Sequence, residues 1–140
     1  MTSTDTLHSH ELVVADVHLD ELGHVNNARY LEYLEEGRMA WYDASGMVRK
    51  TCEERAVKSL NTVVVNVNID FVQECMAGET LKVTTHPARA GGKSYVLEQS
   101  IYKADGELAA RASVTSVVMD LTSRRAVPMA KSARGLFAEH

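Results

Sequence analysis

Alternation of hydrophobic and polar residues predicts the strands of this chain. The clearest example covers residues 62–71, where every odd-numbered position is apolar, from Val63 to Phe71. A period of two is the pattern of a β-strand with one buried face, which we expect to pack on a helix. Weaker alternation predicts strands over residues 13–19 and 81–86, and Pro87 is expected to end the second because it lacks a backbone N–H.

A helical period follows the first of these strands. From Ala28 onward apolar residues recur at helical spacing: Tyr30, Leu31, Leu34, Met39, Trp41 and Tyr42. Asn26 or Asn27 can cap the start of this helix with its side-chain oxygen. Ser45-Gly46 is expected to end it, since glycine adopts the left-handed conformation common after a helix.

Two features inside the predicted helix carry structural expectations. Gly37 would cost about 1 kcal/mol against Ala in an exposed helix, so we expect its backbone to approach the sheet closely. Glu35 and Arg38 lie one turn apart and can pair as a solvated salt link worth a few tenths of a kcal/mol.

Turn signals set the order of the later elements. Gly91-Gly92 predicts a hairpin, and Asp105-Gly106 predicts a second one with a type I′ turn. Strands joined by short turns must be antiparallel, so one early helix followed by strands indicates the α+β class. Residues 47–60 mix charged and apolar positions and are expected to form a loop with one short helical turn.

Length and composition narrow the class of protein. The 140 residues suit a single domain (1–140), with a polar leader over 1–9 and a polar, solvated tail over 123–140. A net charge of −4 argues against a nucleic-acid binder. The first ten residues have no lysine, arginine or apolar core, so no signal peptide is predicted. No apolar run is long enough to cross a bilayer, and no membrane partner is expected.

The two cysteines, Cys52 and Cys75, show neither metal-ligand spacing nor a disulfide framework. They are expected to be reduced thiols of a cytoplasmic protein. Nothing in the sequence brings either of them near the start of the predicted helix, so a cysteine nucleophile has little support.

Candidate chemistry is concentrated in the turn that precedes the helix. Asp20 and Gly23 suit a tight turn, and His24 follows at once. Unpaired N–H groups at a helix N-terminus carry partial positive charge and can hold an oxyanion. Each residue alone is explained by turn formation or capping, but their concentration beside one helix end makes this stretch a plausible site.

The pattern Asp20-x-x-Gly23-His24-Val25-Asn26-Asn27, with Tyr30, Glu35 and Arg38 after it, resembles the hotdog-fold acyl thioesterases. It is most similar to the 4-hydroxybenzoyl-CoA thioesterase-like group, which is related to plant acyl-carrier-protein thioesterases. The resemblance covers roughly residues 11–120 and implies one long central helix wrapped by a curled antiparallel sheet of about five strands. It also implies a homodimer or a dimer-of-dimers tetramer that hydrolyses acyl-CoA or acyl-carrier-protein thioesters, with no metal or other cofactor.

The same resemblance implies roles for the residues of the motif. Asp20 matches the catalytic carboxylate, as general base or as nucleophile, and His24 matches a histidine that is catalytic in some branches. The plant enzymes place an Asn between these two residues where this chain has Leu22, which leaves more of the chemistry to Asp20. Gly23 and Val25 would contribute backbone amides to an oxyanion hole.

Substrate contacts are expected from four further residues: Asn27, Tyr30, Arg89 and Lys93. Asn27 can hydrogen-bond Asp20 or the substrate, and the two basic residues flank the Gly91-Gly92 hairpin where they could meet CoA phosphates. Two other functions fit the same fold, a hydratase or dehydratase acting on such thioesters and a non-catalytic acyl-CoA-binding protein.

Overall fold

The computed structural model describes residues 8–15, Glu21, Gly23 and residues 25–139. Within this part the elements follow in the order β1 (His8–Val13), α1 (Asn27–Ser45), α2 (Met47–Arg55), β2 (Leu60–Phe71), β3 (Thr80–Ala90), β4 (Ser94–Tyr102), β5 (Leu108–Asp120), β6 (Arg125–Val127) and α3 (Lys131–Arg134). The strands form one antiparallel sheet in the order β1-β3-β4-β5-β2, with β6 paired to β5. The α+β class is confirmed, as a curled, unclosed sheet with the long helix α1 against one face.

Helix α1 begins and ends where the sequence predicts. The Asn26 side-chain oxygen accepts a hydrogen bond from the Ala28 amide at 2.8 Å and so caps the first turn. Gly46 lies in the left-handed region with φ of 67°, and its N–H donates to the Tyr42 carbonyl. The prediction of a capped helix is therefore confirmed at both ends.

The sheet face under α1 is apolar and α1 lies close to it. Leu34 is fully buried, together with Leu81 and Val83 of β3. A Cβ atom on Gly37 would lie 2.5 Å from Val83 Cγ1, which is far inside van der Waals contact. The expected close approach at Gly37 is confirmed, and glycine is what permits it.

Strand β2 is present, but its faces differ from the expectation. A bulge at Val65 interrupts the pairing with β5, because Val64 pairs with Ser116 and Asn66 pairs with Thr115. Before the bulge the even-numbered residues Thr62 and Val64 therefore face α1. After it the odd-numbered residues Val67, Ile69 and Phe71 do. Several of these side chains remain exposed, Val64 by 42% and Phe71 by 45%, so the expected burial of one whole face against the helix is wrong.

The end of β3 and the turn between β4 and β5 also differ from the predictions. Strand β3 continues through Pro87 to Ala90, because a second bulge between Pro87 and Arg89 accommodates the residue that cannot donate a ladder hydrogen bond. The β4–β5 connection is not a type I′ turn, since Gly106 has a φ of 88° and Asp105 does not have positive φ. Lys103 donates to the Glu107 carbonyl instead, which closes a loop over residues 104–106.

The ends of the chain depart furthest from the sequence-based predictions. Strand β1 lies at His8–Val13, partly within the expected leader, and residues 16–19 of the strand predicted over 13–19 lie outside the described residues. The tail is not a solvated extension, because Met129, Ala133 and Phe137 are buried against the core. The expected loop after Gly46 is largely the nine-residue helix α2.

Candidate active site

The start of α1 is built by local hydrogen bonds. The Asn26 side chain and carbonyl accept from the amides of Ala28 and Arg29, which satisfies two donors of the first turn. The Asn27 amide has no acceptor among the described residues. Among the described residues this end of the helix therefore has an N–H without an acceptor, together with the positive end of the helix dipole.

The loop before the helix is anchored to the segment that follows β2. The Val25 amide donates to the Cys75 carbonyl at 3.0 Å, and both residues are buried. The Tyr30 hydroxyl donates to the Gln73 carbonyl at 3.2 Å. Residues 71–75 thus form a wall beside the helix start, held by contacts between positions far apart in the sequence.

A cavity of about 290 Å³ lies between this wall and the helix, lined by Val25, Asn27, Tyr30, Phe71, Val72, Gln73 and Glu74. The Tyr30 and Phe71 rings meet edge to face at 5.4 Å between centroids. Burial raises the pKa of the Tyr30 hydroxyl, so it stays a neutral hydrogen-bond donor at physiological pH. The cavity joins the side chains of Val25, Phe71 and Val72 to a larger polar part that includes Asn27, Gln73 and Glu74, so it can hold a ligand that has both polar and apolar groups.

The structure brings together some of the predicted site residues. Val25, Asn27 and Tyr30 line the same cavity, and Gly23 lies two positions before Val25 with a φ of 80°. The Val25 amide is already bonded to Cys75, so it is not a free donor for an oxyanion. Asp20 and His24, the two predicted catalytic residues, lie outside the described residues.

Arg89 and Lys93 lie elsewhere in the same protomer. They flank the β3–β4 hairpin, where Ala90 and Tyr95 pack in the core beside the C-terminal half of α1 with Trp41. Val25 and Tyr30 belong to the other part of the core, beside the start of the helix. One protomer therefore does not bring the predicted phosphate contacts to the cavity.

Cys75 and Gln73 are site residues that sequence reasoning missed. Cys75 is fully buried and lies directly against the loop, so the expectation that nothing places a cysteine near it is wrong. Burial raises the pKa of the Cys75 thiol, which keeps it in the poorly nucleophilic protonated form. No local signal could reveal this contact, because it joins positions about fifty residues apart.

The long helix against a curled, unclosed antiparallel sheet defines a hotdog-fold protein. The chain matches the model of the Thioesterase-like superfamily over residues 14–137, and it belongs to that family. Within the described residues, no helix is long and apolar enough to span a membrane.

Individual relatives agree with this assignment. The long-chain acyl-CoA thioesterase FadM of Escherichia coli is 33% identical over 120 residues, which cover 85% of this chain and 88% of the relative. The solved structure of the E. coli probable thioesterase YbaW is 31% identical with a TM-score of 0.74, covering 91% of this chain and 94% of that one. The Staphylococcus aureus protein SAV2348, solved in complex with CoA, shares the fold with a TM-score of 0.80 at 20% identity, covering 93% and 80%.

Proposed function

We propose that this protein hydrolyses acyl-CoA thioesters in the cavity at the start of α1, with Asp20 as the catalytic carboxylate. The observation that carries the proposal is the cavity itself, which is lined by the first residue of α1, Asn27, and by Val25, five positions after Asp20 in the sequence. The E. coli relative is an acyl-CoA thioesterase, and the S. aureus protein of the same fold binds CoA.

The proposed reaction adds water across the thioester. As a general base, Asp20 would take a proton from water while the water oxygen attacks the carbonyl carbon, after which the C–S bond breaks and the thiolate leaves. As a nucleophile, it would itself attack the carbonyl to form a mixed anhydride, which water then cleaves. His24 would polarise the carbonyl or orient the water in either route.

The developing oxyanion needs N–H donors that are not already used. Among the described backbone amides near the cavity, those of Gly23 and Asn27 have no described acceptor, whereas the Val25 amide is bonded to Cys75. We therefore assign the oxyanion to the amides of Gly23 and Asn27 rather than to Val25, reinforced by the helix dipole. Val25 contributes its apolar side chain to the cavity wall, and the Asn27 side chain is available to Asp20 or to the substrate.

We also propose that two protomers pair through strand β2. This strand is a twelve-residue edge of the sheet, and Val65 and Val67 are exposed on it by 57% and 37%. A long apolar edge is a template for pairing with another chain. A twofold antiparallel β2–β2 pairing would bring the partner's β3–β4 hairpin to the cavity end of this protomer, so that Arg89 and Lys93 would reach CoA phosphates across the dimer.

The pairing is tested by sedimentation of wild type and of Val65→Lys, which places a charge on the exposed edge. A dimer, or a tetramer built from such dimers, is expected for wild type, with a shift toward monomer for the variant. A monomeric wild type contradicts the pairing and removes the route by which Arg89 and Lys93 reach the cavity.

The hydrolase proposal is tested by thiol release from a panel of aliphatic and aromatic acyl-CoAs. Asp20→Asn keeps the size of the side chain but removes its charge, and is expected to lower kcat/KM by about a hundred- to ten-thousandfold. The matched control is Asp70→Asn, which removes an exposed carboxylate on the opposite face of the sheet, 3.2 Å from Arg111. A full rate in Asp20→Asn contradicts the role of Asp20.

If wild type releases no thiol from any acyl-CoA, the same panel carried on acyl-carrier protein is the next substrate to measure. Binding without turnover on both carriers would point to a non-catalytic acyl-CoA-binding protein. We place this activity in the cytoplasm because Cys52 and Cys75 are both free thiols, as is usual in a reducing compartment.

A further inference from the structure

A groove runs beside α1 on the side that faces β2. Leu31, Arg38 and Tyr42 share that side of the helix, while Glu36 on the other side lies 3.5 Å from His10 of β1. Across the groove stand the side chains of β2 that are exposed although they point toward the helix side of the sheet: Val64, Val67 and Phe71. One wall of the groove is therefore apolar.

A cavity lies at each end of this groove. At one end Phe71 and Tyr30 line the cavity at the helix start. At the other end Tyr42 and Thr62 line a second cavity of about 250 Å³, together with Asn61 and Arg49.

Arg38 is the charged group within this groove. Its residue is only 9% exposed, and one guanidinium N–H donates to the Gln99 side-chain oxygen at 3.1 Å. The expected ion pair with Glu35 is not formed, and no carboxylate of the described residues lies within ion-pair distance of the guanidinium. Burial lowers the pKa of Arg38, yet an arginine remains charged.

No carboxylate of the described residues forms an ion pair with Arg38, although the charge of Glu35 nearby favours the charged form and raises its pKa against the effect of burial. Gln99 is fully used, because its amide nitrogen donates to the Leu34 carbonyl and to the Thr85 hydroxyl at 2.9 Å each. A guanidinium has five N–H donors, and within the described part of the chain only one of them meets an acceptor. A buried charge without an anionic partner is costly, so the position of Arg38 suits a ligand that brings an oxygen for its remaining N–H donors.

We propose that the groove holds the acyl group of the substrate and that Arg38 binds an oxygen at the end of that group far from the thioester. The substrate class is then an acyl thioester with a distal hydroxyl or carboxylate. This inference rests on the proposed hydrolase function and determines its specificity. An acyl chain without this oxygen would contact the same apolar wall but would offer Arg38 no hydrogen-bond acceptor.

The helix sets the length of the preferred acyl group. Asn27, whose amide is assigned to the oxyanion, and Arg38 are eleven residues apart, which corresponds to about 16 Å along the helix axis. A long side chain in a helix leans back toward the N-terminus, which leaves about 12 Å to the guanidinium. An extended chain advances about 1.2 Å per bond, as the reach of the polypeptide backbone shows, so roughly ten bonds span that distance. Acyl groups of about ten carbons are therefore the ones expected to place a terminal oxygen at the guanidinium.

The test compares thiol release from three CoA thioesters of matched length, those of decanoic acid, 10-hydroxydecanoic acid and decanedioic acid. Wild type, Arg38→Met and Arg38→Lys are measured, with Arg111→Met as a control that makes the same change on the exposed outer face of the sheet. The quantity compared is the ratio of kcat/KM between two substrates in one preparation. That ratio does not depend on the folded fraction, so a variant of reduced stability remains informative.

Wild type is expected to prefer the two oxygenated substrates. Arg38→Met should lower kcat/KM for them by about ten- to a hundredfold while changing the decanoyl value little, since it removes a hydrogen bond to a charged group. Arg38→Lys should keep a preference for the carboxylate, and Arg111→Met should match wild type.

Three results overturn the proposal, each in a recognisable way. Equal losses on all three substrates would make Arg38 a structural residue of the core. An unchanged preference together with dissociation of the dimer in Arg38→Met would show that the guanidinium pairs with the partner subunit. Turnover of all acyl-CoAs without any preference in wild type would reject the specificity while leaving the hydrolase function intact, whereas no turnover of any thioester rejects the function itself.

Discussion

Gly37 is the position where a single methyl group most sharply tests the packing of α1 on the sheet. In Gly37→Ala the new Cβ would lie 2.5 Å from Val83 Cγ1 and 3.2 Å from the Gln99 amide nitrogen. Ordinary carbon–carbon contacts are about 3.5–4.0 Å, so either the helix or the valine must move. Val83 is fully buried and β-branched, which leaves it little freedom to rotate away.

Two opposing contributions set the size of the effect. Alanine is favoured over glycine in a helix by about 1 kcal/mol. Overpacking a buried site costs about 1–3 kcal/mol, and the overlap at Gly37 belongs to the upper part of that range. Gly37→Ala should therefore lower the free energy of unfolding by about 1–2 kcal/mol, against the direction that helix propensity alone predicts.

Urea unfolding of a double-mutant cycle with Val83→Ala measures this. Val83→Ala alone destabilises the protein by about 2 kcal/mol, through lost burial and a cavity. In that background the methyl at 2.5 Å is absent, while the Cβ of residue 83 and the Gln99 amide nitrogen remain at 3.2 Å. Gly37→Ala should therefore change the free energy of unfolding by less than about 1 kcal/mol there, clearly less than in the wild-type protein. The reasoning is refuted if Gly37→Ala stabilises the wild-type protein, or if it destabilises both backgrounds equally.

Three further predictions concern the helix start, the thiols and the buried hydroxyls. Asn26→Ala removes the cap of α1 and should lower the free energy of unfolding by about 1 kcal/mol in the same urea assay, whereas no change would mean that the cap is dispensable. In the native protein Cys75 should react with a thiol reagent far more slowly than Cys52, because Cys75 is fully buried and burial raises the pKa of its thiol. Equal reaction rates would contradict the burial of Cys75. Burial also raises the pKa of Tyr30, Tyr42 and Tyr95 above the unfolded value near 10, so the contribution of these three groups to stability should be constant below pH 10 and then fall as the unfolded state loses protons that the folded state retains. The loss is about 1.4 kcal/mol per pH unit for each such group, and a stability that rises above pH 10 in urea titrations would be the opposite result.

The features that the sequence predicted well depend on residues close together in the chain. The limits of α1 follow from Asn26, Gly46 and the helical period between them, all of which act within a few residues. The close approach at Gly37 could be anticipated because glycine in a helix interior requires a reason. The β3–β4 hairpin likewise follows from Gly91-Gly92.

What it missed depends on partners distant in the chain. The bulge at Val65 is set by the register with β5, and it changes which valines face the helix. The apolar residues of the tail, among them Met129 and Phe137, stand between basic ones, so composition suggested a solvated segment where the structure buries both. The contact of Val25 with Cys75 joins the loop to a segment that shares no pattern with it.

The central claim is that this protein is an acyl-CoA hydrolase whose reaction depends on Asp20. The most direct measurement is native mass spectrometry of wild type and Asp20→Asn, each mixed with the same acyl-CoA and followed over time. The account predicts that wild type converts the thioester to free CoA and acid, while Asp20→Asn holds the intact acyl-CoA bound. Conversion at the same rate by both proteins, or no binding and no conversion by either, would contradict it.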